Sequence, residues 1–545
     1  MSEEAPRSHR IPALRVKGAR ITERLNLAYS IVRHSGRFLS CSFEQAPGLY
    51  WARCPQLSFK GSHLPGVRGS NAQIDGHLRL EACVFTGLLE LRGTQLAGSL
   101  ALSYARTLVP GLAIDCDRLQ AGRGILAIEL NAVGGVRFSN VKVSGTVIMD
   151  RARLVASGGT ALNLDGVVAD GSVFCREMKV TGMVSLRNAR VAGPFSFTET
   201  TIDHPRQVAF RGSRITAEGG LYLSEGFTAT GTVRLSNSRV DRELRLNDAH
   251  LVNSGDALQA AELQVEGTVE ARKLLAEGRV DLSQARITGS LDLTAARLPA
   301  ADTDAFSQVA LDADGVSVGG GLLCTGGFRA KGAVRIADAR IGTFANFNGA
   351  HLSNPGGKAF DAAGVSIGGG LECGRGFTTE GELILIGARI GRHLDLNEAT
   401  LSAPGGRALA AWQLEARELN LQPEQPPEGE VDLRHARIGV FCDHPTAWSP
   451  RRQDGLTYEA LEPMLSVNQR LVRLRADPDM YVPQPYEQLA ETYRRLSHDV
   501  DARTVLLVKQ QLRHATLPWH ARVWGLLQDV TVGYGYRPVR AGFGF

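Results

Sequence analysis

The sequence predicts a mainly β chain, a right-handed parallel β-helix (β-solenoid) followed by an α-helical C-terminal region, and three observations predict it. The first is the anchor spacing in VDLSQARITGSLDLTAARL, where Leu282, Ile287, Leu293 and Leu298 fall five or six residues apart. Neither the 3.6-residue period of a helix nor the alternation of one long strand gives that spacing. Short segments that turn at corners around a narrow axial core do, leaving Asp281, Arg286 and Asp292 to face water. The second is a repeat: a glycine followed two and four residues later by apolar positions recurs at Gly87, Gly134, Gly182, Gly231, Gly278, Gly332, Gly381 and Gly429, at near-regular steps. Each module holds an ARI-x-G-x-L-x-L segment and a looser half such as ALDADGVSVGGGLLCTGGF, and so reads as two coils. The third is that this pattern stops after Cys442 and helical periodicity replaces it.

In chain order, residues 1–13 are a polar tail, and residues 14–442 are the solenoid. Residues 443–482 are a linker and capping helix, and residues 483–545 are a helical, basic, membrane-proximal region. The register weakens between Arg33 and Gly87, where Tyr50, Trp51 and Pro55 suggest a decorated coil. LPAADTDAFSQ, inside the longest step between marker glycines, reads as an outward loop. Roughly 18 coils stacked at about 4.8 Å would form a rod of about 85 Å. Glycine is abundant at 61 residues and aromatics make up 6%, which fits tight corners and a core too thin for large rings.

Beyond the solenoid, Leu489, Tyr493 and Leu496 share one helical face, and Val505, Val508 and Leu512 share another, a pair that reads as a helical hairpin. A third segment opens at Pro518 and sets Trp519, Val523, Leu526, Leu527 and Val530 on one face beside Arg522. From Arg503 onward six basic residues, including Arg537 and Arg540, stand against one acid, Asp529. A basic, Trp-bearing amphipathic helix is suited to an anionic membrane surface; a cap on the open end of the solenoid is the competing role.

The net charge of +5, from 61 basic and 56 acidic side chains, is too balanced for a nucleic-acid binder. The chain as given has no signal-peptide core and no apolar run long enough to span a bilayer, so the expected location is cytoplasmic, peripheral to the inner face of the cell membrane. Eight cysteines form no CxxC pair, and Cys175, Cys324 and Cys373 occupy one slot filled by Leu223 and Leu293 in other coils, which makes them core residues.

The coils resemble those of the pentapeptide-repeat superfamily. More specifically, ARIGRHLDLNEATLSAPGGRAL and the tail strings YEQLAETYRRLSHDVDARTVLLVKQ and TVGYGYRPVRA resemble bacterial proteins labelled membrane-associated oxidoreductase. The resemblance implies membrane association and, by its label, redox chemistry. The residues supply no cofactor or metal motif for it, and no cofactor is expected. GRGILA, with Gly122, Gly124 and Ala127, mimics a dinucleotide fingerprint but lies inside the coil array. GVSVG at Ser317 and GVSIG at Ser366 mimic a nucleophile elbow, yet they are tandem copies of one repeat position. His250 and His351 share a slot that arginine fills elsewhere, which makes them solvent-facing rather than ligands.

Arg190, Arg239, Arg286, Arg340, Arg389 and Arg437 recur once per module and should align on one side, as a stripe for phosphates or an acidic partner, or as a solvated face neutralised by neighbouring acids. The expected role is a non-enzymatic scaffold at a bacterial membrane, with an unidentified protein partner along its side; an oxidoreductase is the alternative.

Overall fold

The structure is a computed structural model that describes residues 13–299, 309–443, 451–475 and 481–515. It is a right-handed parallel β-solenoid of about 19 turns with helices at its C-terminal end. The chain divides into two compact units, one up to Gly289 and one from Ser290.

In the first unit, coil length is the variable that organises the fold. Ala13 pairs with Ser35, Gly36 with Leu57, Leu57 with Leu78 and Leu78 with Leu100, so the early coils are nearly equal in length. The stretch from Arg33 to Gly87, expected to be decorated, is therefore the most uniform part. Its register looked weak because it lacks the two-coil alternation. Beyond Leu100 the steps become unequal, and Lys142, Val168, Arg190, Thr216 and Arg239 stack in sequence. The coils opened by Lys142 and Arg190 are longer than those opened by Val168 and Thr216. One module of the repeat is thus a long coil plus a short one.

Each coil has four sides, shown by Arg190–Val191, Phe195–Ser196 and the two ends of Thr201–Arg211. Backbone N–H groups donate to the adjacent coil, as Phe197 does to Tyr222 O at 2.8 Å, so the interior leaves few backbone groups unpaired. Two corners per coil place a residue in the left-handed region, Asn188 and Glu199 in one coil and Arg214 and Glu225 in the next. The long coil extrudes a turn where its third side meets its fourth. Asp203 pairs with Thr230 and Val208 with Thr232, so residues 204–207 bulge outward over Gly231. This explains the marker glycine. Gly231 has φ +117°, and a Cβ there would lie 2.4 Å from the His204 carbonyl oxygen and 2.7 Å from that of Gln207. The same approach recurs at Gly134, Gly182, Gly278, Gly381 and Gly429.

The anchors Leu282, Ile287, Leu293 and Leu298 are all buried, while Arg286 is exposed. Asp292 departs from expectation: it is buried, and Thr294 N–H donates to its carboxylate at 3.0 Å. The core also takes larger rings than expected. Phe195, Phe197, Phe210 and Phe227 are fully buried, with successive centroids 5.1 to 6.2 Å apart. Four sides enclose a wider interior than the short strands suggest one by one, and Phe197, Phe210 and Phe227 meet edge to face within it.

In the second unit, parallel pairing passes the expected end at Cys442 and continues to Thr457–Glu462, which pairs with Arg437–Asp443. The linker-like residues 444–450 lie outside the described residues, as do 300–308 of the outward loop. Three helices follow: α1 (Val467–Leu474), α2 (Pro483–Arg495) and α3 (Asp499–Ala515). α2 packs against the last strand, burying Tyr486, Leu489, Ala490 and Tyr493. Leu496 is exposed, since it stands at the C-cap after the last helical turn. Gln488 Nε2 donates to Tyr458 O at 2.8 Å and Gln484 Nε2 to Leu456 O at 3.0 Å, so α2 covers the edge of the final strand. α3 packs beside α2 through Ala502, Val505, Leu506 and Leu507, while Val508 and Leu512 are only half-buried.

Candidate functional site

The register places the six arginines on the first side of their coils, one on every second coil. In the first unit the outward ladder reads Lys142, Val168, Arg190, Thr216, Arg239, Gln264, Arg286. In the second it reads Ser317, Arg340, Ser366, Arg389, Glu415, Arg437 and Thr457. All six guanidinium side chains are on exposed residues, because the alternate position on this side, Val191 or Ile341, supplies the core. Arginines two coils apart stand about 9.6 Å from one another.

What differs between the units is the corner residue that follows. In the first unit it is often acidic: Asp170, Glu218, Asp241 and Glu266. Arg239 accordingly pairs with Asp241 at 2.6 Å and Glu266 at 3.3 Å. Arg190 stacks between the coils that carry the Asp170 and Glu218 corners, yet among the described residues neither it nor Arg286 makes an ion pair. In the second unit the corner is glycine at 319, 342, 368, 391 and 439. A Cβ at Gly342, Gly368 or Gly391 would lie 2.1 to 2.3 Å from the carbonyl of the corner stacked against it, so no side chain fits there. The result is an open groove of about 810 Å³ whose lining includes Ser366, Arg389, Gly391, Glu415, Arg417 and Arg437. Among the described residues Arg340 has no ion pair, and Glu415 serves both Arg437 at 3.2 Å and Arg389 at 3.9 Å. A second groove of about 490 Å³ follows the same side in the first unit, lined by Gln73, Gln95, Gln120, Lys142 and Asp170 among others.

The adjacent fourth side holds the neutralised charges. Arg92 and Arg137 meet Asp115 at 2.6 and 3.4 Å, Arg279 meets Asp256 at 2.7 Å, and Arg335 pairs with Asp314. Mutual neutralisation thus describes that side and the surroundings of Arg239, whereas on the column Glu415 is shared by Arg389 and Arg437, and Arg190, Arg286 and Arg340 have no ion pair among the described residues.

The other sequence candidates fall into structural roles. Ser317 and Ser366 are strand positions on the arginine ladder, next to Arg340 and Arg389. Gly122 is a corner and Gly124–Leu126 a strand, so GRGILA precedes no helix. His250 and His351 are half-buried rather than fully solvent-facing: His250 Nε2 lies 3.0 Å from Glu277, and His351 Nδ1 pairs with Thr378. All eight cysteines are buried, and burial pushes the Cys54 and Cys83 thiols up to about 12 and those of Cys324 and Cys373 well above their ordinary value, which disfavours the reactive thiolate. The membrane-contact candidates Trp519, Arg522, Val523, Leu526, Leu527, Val530, Arg537 and Arg540 lie outside the described residues. Among the described residues, no helix is long and apolar enough to cross a membrane and no cluster of metal-ligating side chains occurs.

Sequence reading missed the glycine corner, although IGT, IGG and IGR were visible after each core isoleucine. It also missed Glu415, which stacks between Arg389 and Arg437 although a full coil of chain separates it from either one. Only the coil lengths reveal that adjacency. No family model, curated protein or solved structure matches the chain.

Proposed function

We propose that this chain is a non-enzymatic scaffold whose second unit presents the Arg340, Arg389 and Arg437 column to an anionic protein partner. The observation that carries this reading is the open groove beside the glycine corners, whose lining sets Arg389, Arg417 and Arg437 against Glu415 and Glu459, with Arg340 on the same ladder free of any ion pair among the described residues. Poly-L-glutamate should therefore bind the full chain with an affinity that falls as salt rises. The variant Arg340→Gln/Arg389→Gln/Arg437→Gln should lose most of that binding. Arg239→Gln, whose guanidinium is already held by two acids, should leave it unchanged. Equal binding by all three proteins, followed by isothermal calorimetry, would sink the assignment. A bound flavin or nicotinamide in the absorbance spectrum of the purified chain would favour the oxidoreductase alternative.

A membrane address is proposed for the C-terminal segment, supported by its six bases against one acid from Arg503 onward. Juxtamembrane bases contribute about 1 kcal/mol each near an anionic surface. In vesicle co-sedimentation, the full chain should bind phosphatidylserine-containing liposomes and a truncation after Ala515 should not. Retained binding by the truncated chain would place the contact elsewhere.

A further inference from the structure

The partner's conformation can be read from the spacing of the column. We infer that the second unit's groove docks an acidic, proline-rich segment in the polyproline II conformation, with a carboxylate at every third residue. This rests on the scaffold reading above and adds the shape of the ligand.

Arginine on every second coil repeats at about 9.6 Å. A polyproline II helix advances about 3.1 Å per residue with three residues per turn, so every third side chain falls on the same face at about 9.3 Å. An extended β-strand returns to the same face at about 6.7 Å, out of step with the arginines. An α-helix brings residue i+7 to the same face at about 10.5 Å, and over two intervals it drifts about 1.8 Å from the column, against about 0.6 Å for polyproline II.

A second observation is independent of charge. Among the described residues, the exposed large apolar side chains of the second unit's coils are Phe344 and Trp412. Phe344 follows the Gly342 corner closely, on the downstream rim of the arginine side. Trp412 stands at the upstream corner, shortly before Glu415, with Arg434 over its ring at 5.8 Å. Neither ring is part of the groove's lining, but both flank the arginine side at its corners, and exposed rings are what proline-rich segments dock against. Between the arginines, Ser366 is small, and the glycine corners leave room for a backbone that lacks N–H donors. Glu415 is the exception in the ladder, since it competes with the ligand for Arg389 and Arg437.

The test uses the full chain and fluorescein-labelled peptides followed by anisotropy: a (Glu-Pro-Pro) repeat, a composition-matched peptide with its glutamates clustered, and an alanine-rich helical peptide with glutamate at every seventh position. The every-third peptide should bind at least tenfold more tightly than either of the others. Arg340→Gln/Arg389→Gln should remove that preference, Trp412→Ala should weaken it severalfold, and Glu415→Gln should tighten binding, a gain that a misfolded variant could not give. Equal affinity for all three peptides, lost in the arginine variant, would overturn the polyproline assignment and leave the scaffold reading standing. Preference for the helical peptide would overturn it in favour of a helix. Should neither these peptides nor poly-L-glutamate bind, both readings fall.

Discussion

Gly231→Ala is expected to cost more than about 3 kcal/mol, because a backbone strained for any L-residue and a collision with a main-chain oxygen act at one atom. The glycine sits at φ +117° with the His204 carbonyl 2.4 Å from where the methyl carbon would be. Backbone cannot swing aside as a side chain could, since the strand that carries the extruded turn is paired on both sides of it. Gly158→Ala is the control: φ there is +73°, but nothing lies within 4 Å, so only the left-handed penalty of about 1 to 2 kcal/mol remains. Hydrogen exchange resolved along the chain is the appropriate measurement, because solenoid stability is a sum over neighbouring coils. Protection should fall first in the coils around residues 201–234 and much less in coils near the N-terminus. Indistinguishable losses in the two variants would mean that the marker glycine is a conformational convenience and not a packing requirement.

Asp443→Asn is the second large effect. Asp443, Arg451 and Arg470 are almost fully buried, with the carboxylate 3.5 Å from Arg451 and 2.5 Å from Arg470, and Arg470 also donates to Pro463 O at 2.7 Å. Burial already pulls the Arg451 guanidinium below its ordinary pKa, so it is charged at a cost that the carboxylate offsets. Removing the anion leaves two desolvated cations together, and breaking such a group typically costs about 3 to 5 kcal/mol. The three residues come from the last two coils and α1, so the loss should be read as faster exchange in residues 451–474 and greater protease sensitivity of the helices. Replacing all three by Leu, Met and Met should cost less than the single substitution. Were the triple variant the less stable one, the ion group would be a net stabiliser and not a device for seating the cap.

The fold was legible because the repeat is written in residues with one physical purpose each: Leu282, Ile287, Leu293 and Leu298 could be satisfied only by an interior reached from four sides. Corners were less legible. Residues such as Glu199 and Arg214 hold left-handed backbone without the glycine or asparagine that would have announced it. Asp292 looked exposed because its strand alternates, yet the local N–H of Thr294 lets its carboxylate fold back and be covered. The arginine column was visible as a list of positions, but its chemistry was not. Asp241 beside Arg239 was readable two residues on, but Glu266, its second partner, and Glu415, shared by Arg389 and Arg437, lie a whole coil away, and the length of that coil changes from one to the next.

The alternation of short and long coils makes length a counted quantity in this chain. Excising residues 190–238 would join Ala189 to Arg239, two points that follow one another around the same corner, and every remaining glycine would still lie beneath an extruded turn. Excising a single coil, residues 168–189, would remove Gly182 and press the turn at residues 156–159 against the one at 204–207. Among the alternating coils beyond Leu100, growth and loss are therefore restricted to pairs, whereas the equal coils before it carry no such restriction. The same restriction preserves the pitch of the arginines, so a longer or shorter descendant would offer more or fewer binding steps of unchanged size.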